Sequence, residues 1–172
     1  MPNNPMYGSN NFDSKVGQRL YTEAGTSREH ENSTDASDIA SYTIPADTLK
    51  AGDIVRIKAF ATVLDNNSTD TLTPILKFGG TAIATGAALD VADDDIVYAW
   101  ADVHVTKDGS SGTCTAISEI RTDALGATVI IGQTALTSMD TTGGLAVVLN
   151  VDWSVAHADN EVRIDAFSVE LV

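Results

Sequence analysis

Apolar and polar side chains alternate along most of the chain after residue 38, and this two-residue period is the strongest constraint on the fold. A period of two places successive side chains on opposite faces of a half-buried β-strand. Segment 53–64 shows it most clearly, with one face formed by Val55, Ile57, Ala59, Ala61 and Val63. Segment 96–106 repeats the pattern, and its polar face carries Tyr98, Trp100, Asp102 and His104. Both segments are therefore predicted to be long strands.

The same alternation predicts further strands, with turn-forming residues between them. Long ones are expected at 113–121, 145–155 and 162–171, and short ones at 39–44, 72–78, 81–85 and 128–131. Within 162–171 the apolar phase shifts by one residue, which predicts a β-bulge near Ala166. Eight or nine strands without a helical pattern indicate an all-β, two-sheet antiparallel sandwich. Long strands separated by short ones suggest jelly-roll-like connectivity, although the pattern also fits another Greek-key sandwich.

Residues 1–38 differ in composition from the sandwich expected at 39–172, because they are rich in Asn, Ser, Thr, Gly and acidic residues. The segment has no sustained period, and its large apolar side chains are isolated: Met6, Tyr7, Phe12, Val16, Leu20 and Tyr21. These side chains are too few to offset the conformational entropy lost on ordering the segment. We therefore expect an extended N-terminal arm whose apolar residues bind a partner. The alternative is that the segment folds back onto its own sandwich as extra edge strands.

The charge balance argues against two classes of partner. Ten Lys and Arg against 24 Asp and Glu give a formal net charge of −14, and the basic residues are scattered along the chain. Because phosphate binding needs clustered Lys and Arg, we expect neither nucleic acid nor an anionic membrane as a partner. Cys114 is the only cysteine, so stability must come from packing or from partners. The N-terminal residues do not resemble a secretory signal, which leads us to expect synthesis in the cytoplasm.

The sequence contains no motif with a catalytic mechanism, and we expect neither enzyme activity nor a cofactor. His30, His104 and His157 have no flanking carboxylate and nucleophile in a recognisable pattern, so surface or interface roles are preferred. The weak candidates for calcium ligands are Asp90, Asp93, Asp94 and Asp95. Their spacing lacks the alternating oxygen ligands and central glycine of a known calcium loop. A solvated loop without a metal is therefore the preferred interpretation.

Tyr98 and Trp100 share one strand face, and Trp153 is a further candidate for the same surface. Flat aromatic faces suit the stacking of pyranose rings, so this face could bind sugars. Trp and Tyr are also enriched in subunit interfaces. The interface is the preferred interpretation of the two.

Three segments carry a resemblance to a known group of proteins. Residues 41–63 (SYTIPADTLKAGDIVRIKAFATV), 75–84 (ILKFGGTAIA) and 159–171 (DNEVRIDAFSVEL) resemble jelly-roll modules of tailed-bacteriophage virion proteins. The resemblance covers the sandwich and not the arm. Such modules occur as capsid decoration or cement proteins, usually trimeric, and as tips or domains of tail fibres.

The resemblance implies a virion structural protein. We expect a capsid decoration protein that binds the outside of a phage head as a homotrimer, made in the host cytoplasm and then located on the virion head surface. Its partners would be the major capsid protein and further copies of itself, and its arm would help to stabilise the shell. The alternative is a tail-fibre, receptor-binding or carbohydrate-binding module. The sequence has no repeat or coiled coil typical of a fibre, which favours decoration.

Overall fold

A computed structural model of the chain describes residues 17–24, 29–67, 69–123 and 130–172, and within them the regular structure is entirely β. The strands are β1 Gln18–Ala24, β2 Glu29–Glu31, β3 Ser37–Ile44, β4 Ile54–Asp65, β5 Thr71–Phe78, β6 Thr81–Thr85, β7 Leu89–Asp90, β8 Ile96–Lys107, β9 Gly112–Thr122, β10 Ile130–Met139, β11 Leu145–Trp153 and β12 Glu161–Leu171. Across these described ranges, no helix is long and apolar enough to cross a membrane.

The strands form two antiparallel sheets that pack face to face. The seven-stranded sheet has the order β1-β12-β4-β8-β9-β10, with β2 also paired to β12. The five-stranded sheet has the order β3-β11-β5-β6, with β7 also paired to β5. The sets β1-β12-β4-β8 and β3-β11-β5-β6 are the two four-stranded halves of a jelly roll, and β9 and β10 widen the first half. The expectation of an all-β, jelly-roll-like sandwich is confirmed.

The core follows from the alternation of side chains along the long strands. In β4 and β8 every second residue is buried between the sheets, and β12 changes phase at a register shift between Ile164 and Ala166. This shift confirms the bulge predicted near Ala166. The largest fully buried side chains come from both sheets and, for Leu49, from the connection between β3 and β4: Trp153, Phe78, Phe167, Ile39, Ile44, Leu49, Ile57, Leu72, Leu76, Ile83, Ile120 and Leu149.

The described part of the N-terminal segment belongs to the sandwich, which corrects the boundary expected at residue 38. β1 pairs with β12 from Gln18↔Leu171 to Ala24↔Ala166, and β2 pairs with the other end of β12. Leu20 and Tyr21, expected to bind a partner, instead pack against the chain's own core. The described part of the segment thus follows the alternative in which it folds back onto the sandwich as extra strands. The remaining predicted partner-binding residues lie outside the described residues: Met6, Tyr7, Phe12 and Val16.

Candidate functional site

The outer face of the seven-stranded sheet points away from the other sheet and carries two aromatic side chains that lie opposite each other. Phe60 on β4 pairs with Tyr98 on β8, and two residues further along β8 Trp100 pairs with Lys58. The alternation that buries Ala59 and Ala61 sends Phe60 outward, where it is 36% exposed. Phe60 and Tyr98 are called the aromatic pair below.

The aromatic pair separates two depressions in this outer face. The first has a volume of about 410 Å³ and extends from the pair across β12 to the edge strand β1. The second has a volume of about 420 Å³ and extends from the pair towards β9. Both volumes fall within the range of small-ligand sites. Phe60 and Tyr98 line both depressions, so a ligand in either one would contact the pair.

Polar side chains surround the aromatic pair. The first depression is lined by the polar residues Arg19, Thr22, Glu23, Lys58, Ser168 and Glu170. The second is lined by the polar residues Arg121, Thr122 and Asp123. Asp123 is held in place because its carboxylate accepts a hydrogen bond from the backbone N–H of Ile96. The site therefore combines an apolar aromatic centre with hydrogen-bonding groups on both sides.

Two charged contacts fix the surroundings of the pair. The Arg121 guanidinium lies 4.8 Å from the centroid of the Tyr98 ring, a cation–π contact that orients the ring. Arg56 donates two hydrogen bonds to Asp102, at 2.9 and 2.8 Å. These hydrogen bonds, and the charge of Asp102, raise the pKa of Arg56 above its ordinary value. The Arg56–Asp102 pair lies on the same outer face as Trp100 and limits the side-chain freedom there.

Trp100 and Tyr98 share the outer face as the sequence predicted, but they differ in their position relative to the two depressions. Tyr98 lines both depressions, whereas Trp100 lines neither. No hydrogen bond joins Tyr98 Oη or Trp100 Nε1 to another residue in the described ranges. Trp153, the further aromatic candidate, is 1% exposed and belongs to the core. It takes no part in the site.

Phe60 is the site residue that the sequence interpretation missed. It occupies the polar phase of β4, between Lys58 and Thr62. An aromatic side chain in the outward phase of a strand is the sequence signal that could have identified it. Its neighbour across the sheet is set by register, which the pattern of one strand does not determine.

The four acidic residues proposed as weak calcium candidates lie around the turn before β8. Asp93 accepts a hydrogen bond from the Asn66 backbone N–H at 2.9 Å, and Asp95 accepts one from the Ala92 N–H at 2.7 Å. Asp90 pairs with Thr71 between β7 and β5, and Asp94 has a positive φ of 67°. These contacts stabilise the turn. Within the described segments, no group of three or more acidic, His or Cys side chains is arranged to hold a metal ion.

The three histidines occupy separate places. His30 on β2 is 4% exposed, and burial lowers its pKa against the opposing charges of Asp152 and Asp35. His104 lies on the outer face opposite Ile54, and His157 accepts a hydrogen bond from the Asp159 N–H in a turn. None of the three lines either depression.

Comparisons with known proteins concern the fold of the chain. No family model and no curated protein matches the chain. The EclA C-terminal domain, a sugar-binding protein, is similar over 88% of this chain and 83% of its own, at 13% identity and a TM-score of 0.39. The CBM2 module of the evolved Dit of Lactobacillus casei BL23 phage J-1 covers 76% of this chain and 67% of its own, at 12% identity and a TM-score of 0.29.

A third similar structure is the xylan β-1,4-xylosidase of Bacillus halodurans C-125. It covers 68% of this chain and 27% of its own, at 8% identity and a TM-score of 0.34. At these identities and TM-scores, the likenesses carry no argument about what this chain binds.

Proposed function

We propose that the chain is a non-catalytic carbohydrate-binding module, with its glycan site on the outer face of the seven-stranded sheet. The observation that carries this proposal is the aromatic pair, an exposed Phe60 beside a half-buried Tyr98, which lies between two depressions bordered by hydrogen-bonding side chains. A pyranose ring has apolar faces and a hydroxyl-rich edge. Phe60 and Tyr98 offer aromatic surface to the faces, and the flanking charged and hydroxyl groups offer hydrogen bonds to the edge.

We propose a non-catalytic module because of the positions of the carboxyl groups. Glycoside hydrolysis uses a pair of carboxyl groups, one of which has a raised pKa and acts as the acid. Among the described carboxyl groups, the pKa of Glu161 is raised, chiefly by desolvation and then by the nearby charges of Glu29, Glu31 and Asp65. Glu161 lines neither depression. Binding without bond cleavage is the role that this arrangement supports.

A glycan array followed by titration calorimetry on the best ligand tests the proposal. Phe60→Ala and Tyr98→Ala should each weaken binding by about tenfold, or about 1.4 kcal/mol, because each removes a stacking surface. Ile117→Ala is the matched control, since Ile117 is 43% exposed on β9 and lines neither depression. Absence of any glycan binding, or equal effects of Phe60→Ala and Ile117→Ala, would refute the proposal.

The second candidate is the phage head decoration protein, a homotrimer bound to the major capsid protein on the virion surface. It is favoured by the placement of the segments that resemble virion jelly-roll modules. Those segments contain the second half of β3, most of β4, the turn of the β5–β6 hairpin with its flanking residues, and all of β12, which together belong to both sheets. In this proposal the module adds cohesion by binding neighbouring capsid subunits.

Heating particles that carry the protein beside particles that lack it tests the decoration role. Decorated particles should lose integrity at a higher temperature, and chelation should leave this difference in place. Equal resistance of the two particles would remove the cement role. Glycan binding that disappears in Phe60→Ala would instead favour the carbohydrate-binding module.

A further inference from the structure

We infer that the ligand of this site is a linear, electrically neutral oligosaccharide that lies across the strands, with binding subsites on both sides of the aromatic pair. The inference rests on the proposed carbohydrate-binding function and adds the length, direction and charge of the ligand. Three observations carry this inference: the position of the aromatic pair between the two depressions, the number of strands that the depressions span, and the balance of charge in each depression.

The direction of the ligand follows from the strands that border the depressions. The first depression reaches from β8 through β4 and β12 to β1, and the second reaches from β4 through β8 to β9. Neighbouring strands lie about 4.8 Å apart, so the four spacings from β1 to β9 cover about 19 Å. This distance exceeds a single sugar ring. A chain of several sugars laid perpendicular to the strands contacts both depressions at once.

The edge strand β1 forms the far wall of the first depression. Ala24 lies opposite Ala166, and the small side chains at both positions leave the floor open beside Phe60. Thr22 lies opposite Ser168, which places two hydroxyl groups in neighbouring positions. A ligand that stays on the second depression would not use these groups. The N-terminal strand therefore contributes directly to a subsite.

The charge of the ligand follows from the side chains in each depression. In the first, Arg19 and Lys58 are balanced by Glu23 and Glu170. In the second, the lining contains one basic side chain, Arg121, and one acidic side chain, Asp123, and Arg121 also pairs with Glu119 at 3.6 Å. This local neutrality contrasts with the net charge of −14 of the whole chain. A site built for uronic acids would carry excess positive charge, and one built for amino sugars would carry excess negative charge.

A length series of neutral cello-, manno- and xylo-oligosaccharides, titrated against the full chain, tests the direction and span. Affinity should rise by at least tenfold from the monosaccharide to the hexasaccharide. Ala166→Gln, which fills the first depression, should remove most of that gain, whereas Thr115→Gln on the same outer face should leave it intact. Binding of the monosaccharide as tightly as the hexasaccharide would overturn the inference and leave the proposed function standing.

Charged oligosaccharides test the neutrality. Oligogalacturonides and chitosan oligosaccharides should bind more weakly than a neutral chain of equal length. Glu170→Gln should raise affinity for the acidic series several-fold, and Lys58→Gln should lower it, with little change for the neutral series. Tighter binding of either charged series by the unmodified chain would overturn the inference. Absence of binding to every glycan would overturn the inference and the proposed function together.

Discussion

Tyr21 stacks on Tyr42 with ring centroids 4.8 Å apart and an interplanar angle of 17°, which joins the first strand of one sheet to the edge strand of the other. Tyr21 also meets the edge of the buried Phe167 ring at 5.9 Å. Because β1 is an edge strand, these ring contacts supplement its hydrogen bonds to β12. They hold β1 against the sandwich.

Tyr21→Ala should therefore destabilise the fold and loosen β1. The loss should be about 1–3 kcal/mol, below that of a fully buried aromatic residue, because Tyr21 is only half buried. Urea denaturation measures the change, and hydrogen exchange on β1 shows where it acts. Tyr21→Phe is the control and should lose much less, since it keeps the stack and removes only the hydroxyl that donates to Glu23. Unchanged exchange on β1 in Tyr21→Ala would contradict the role of the stack.

The contrast between β1 and β4 explains how much of the fold was predictable. β4 alternates without interruption, and the sequence placed it within one residue of its bounds at each end. In β1 the register shifts between Arg19 and Tyr21, so the consecutive apolar residues Leu20 and Tyr21 break the two-residue period. An edge strand with a bulge has little periodic signal, and the segment was interpreted as an arm. Its pairing with β12 depends on contacts distant in sequence.

β10 was predicted only in part for a related reason. The sequence predicted a strand at 128–131, whereas β10 extends from Ile130 to Met139. Leu136 and Met139 are buried, but a register shift between Thr137 and Met139 breaks the alternation. The same limit applies to the site. Phe60 and Tyr98 belong to strands more than 30 residues apart, and only the register of β4 against β8 places them opposite each other.

Gly79 should be the least replaceable residue of the β5–β6 turn. Gly79 and Gly80 have φ values of 56° and 80°, which suits a two-residue hairpin turn and strains any other residue. A Cβ at Gly79 would also overlap Met139 Cε, the end of a flexible but buried side chain, and would lie 3.2 Å from Leu145 Cδ2, whereas nothing lies within 4 Å of one at Gly80. Gly79→Ala should thus cost more in the free energy of unfolding than Gly80→Ala, whose left-handed backbone strain alone costs about 1–2 kcal/mol.

Thermal and urea denaturation of the two glycine variants provide the comparison. Adding Met139→Ala to Gly79→Ala tests the steric cause, since it removes the side chain that a new Cβ would meet. The double variant should lose less stability than the sum of the two single changes. Equal costs for Gly79→Ala and Gly80→Ala would mean that the contact with Met139 is unimportant.

The ion pair between Arg56 and Asp102 should make a measurable, salt-sensitive contribution. The Arg56 side chain is 36% exposed and that of Asp102 is 15% exposed, so solvent screens the pair in part. The pair has bidentate geometry, which is the favourable geometry for Arg and a carboxylate. A double-mutant cycle with Arg56→Met and Asp102→Asn should give a coupling of about 0.5–1 kcal/mol, smaller at high salt. The cycle of Arg19→Met and Glu170→Gln, a pair 3.8 Å apart and more exposed, should give a smaller coupling.

His30 should make the fold less stable as the pH falls below neutral. Burial lowers its pKa in the folded chain below the ordinary value of 6.5, so the unfolded chain binds the proton more readily. The stability that neutral His30 contributes is thus complete above the pKa that His30 has in the unfolded chain. It is lost as the pH falls through the pKa that His30 has in the folded chain. Glu161 acts in the opposite direction, because its raised pKa favours the folded state as carboxyl groups become protonated.

Urea denaturation at about pH 7.5 and about pH 5.5 brackets the ordinary pKa of histidine, and variants of His30 separate its contribution from that of Glu161. The free energy of unfolding of the unmodified chain should be lower at about pH 5.5 than at about pH 7.5. His30→Phe should lose less, because it has no proton to gain and its ring can occupy the same buried position on β2. His157→Phe is the control, since His157 lies in a turn with its side chain 42% exposed, and it should retain the loss seen in the unmodified chain. An equal loss in His30→Phe and in the unmodified chain would exclude His30 as the cause.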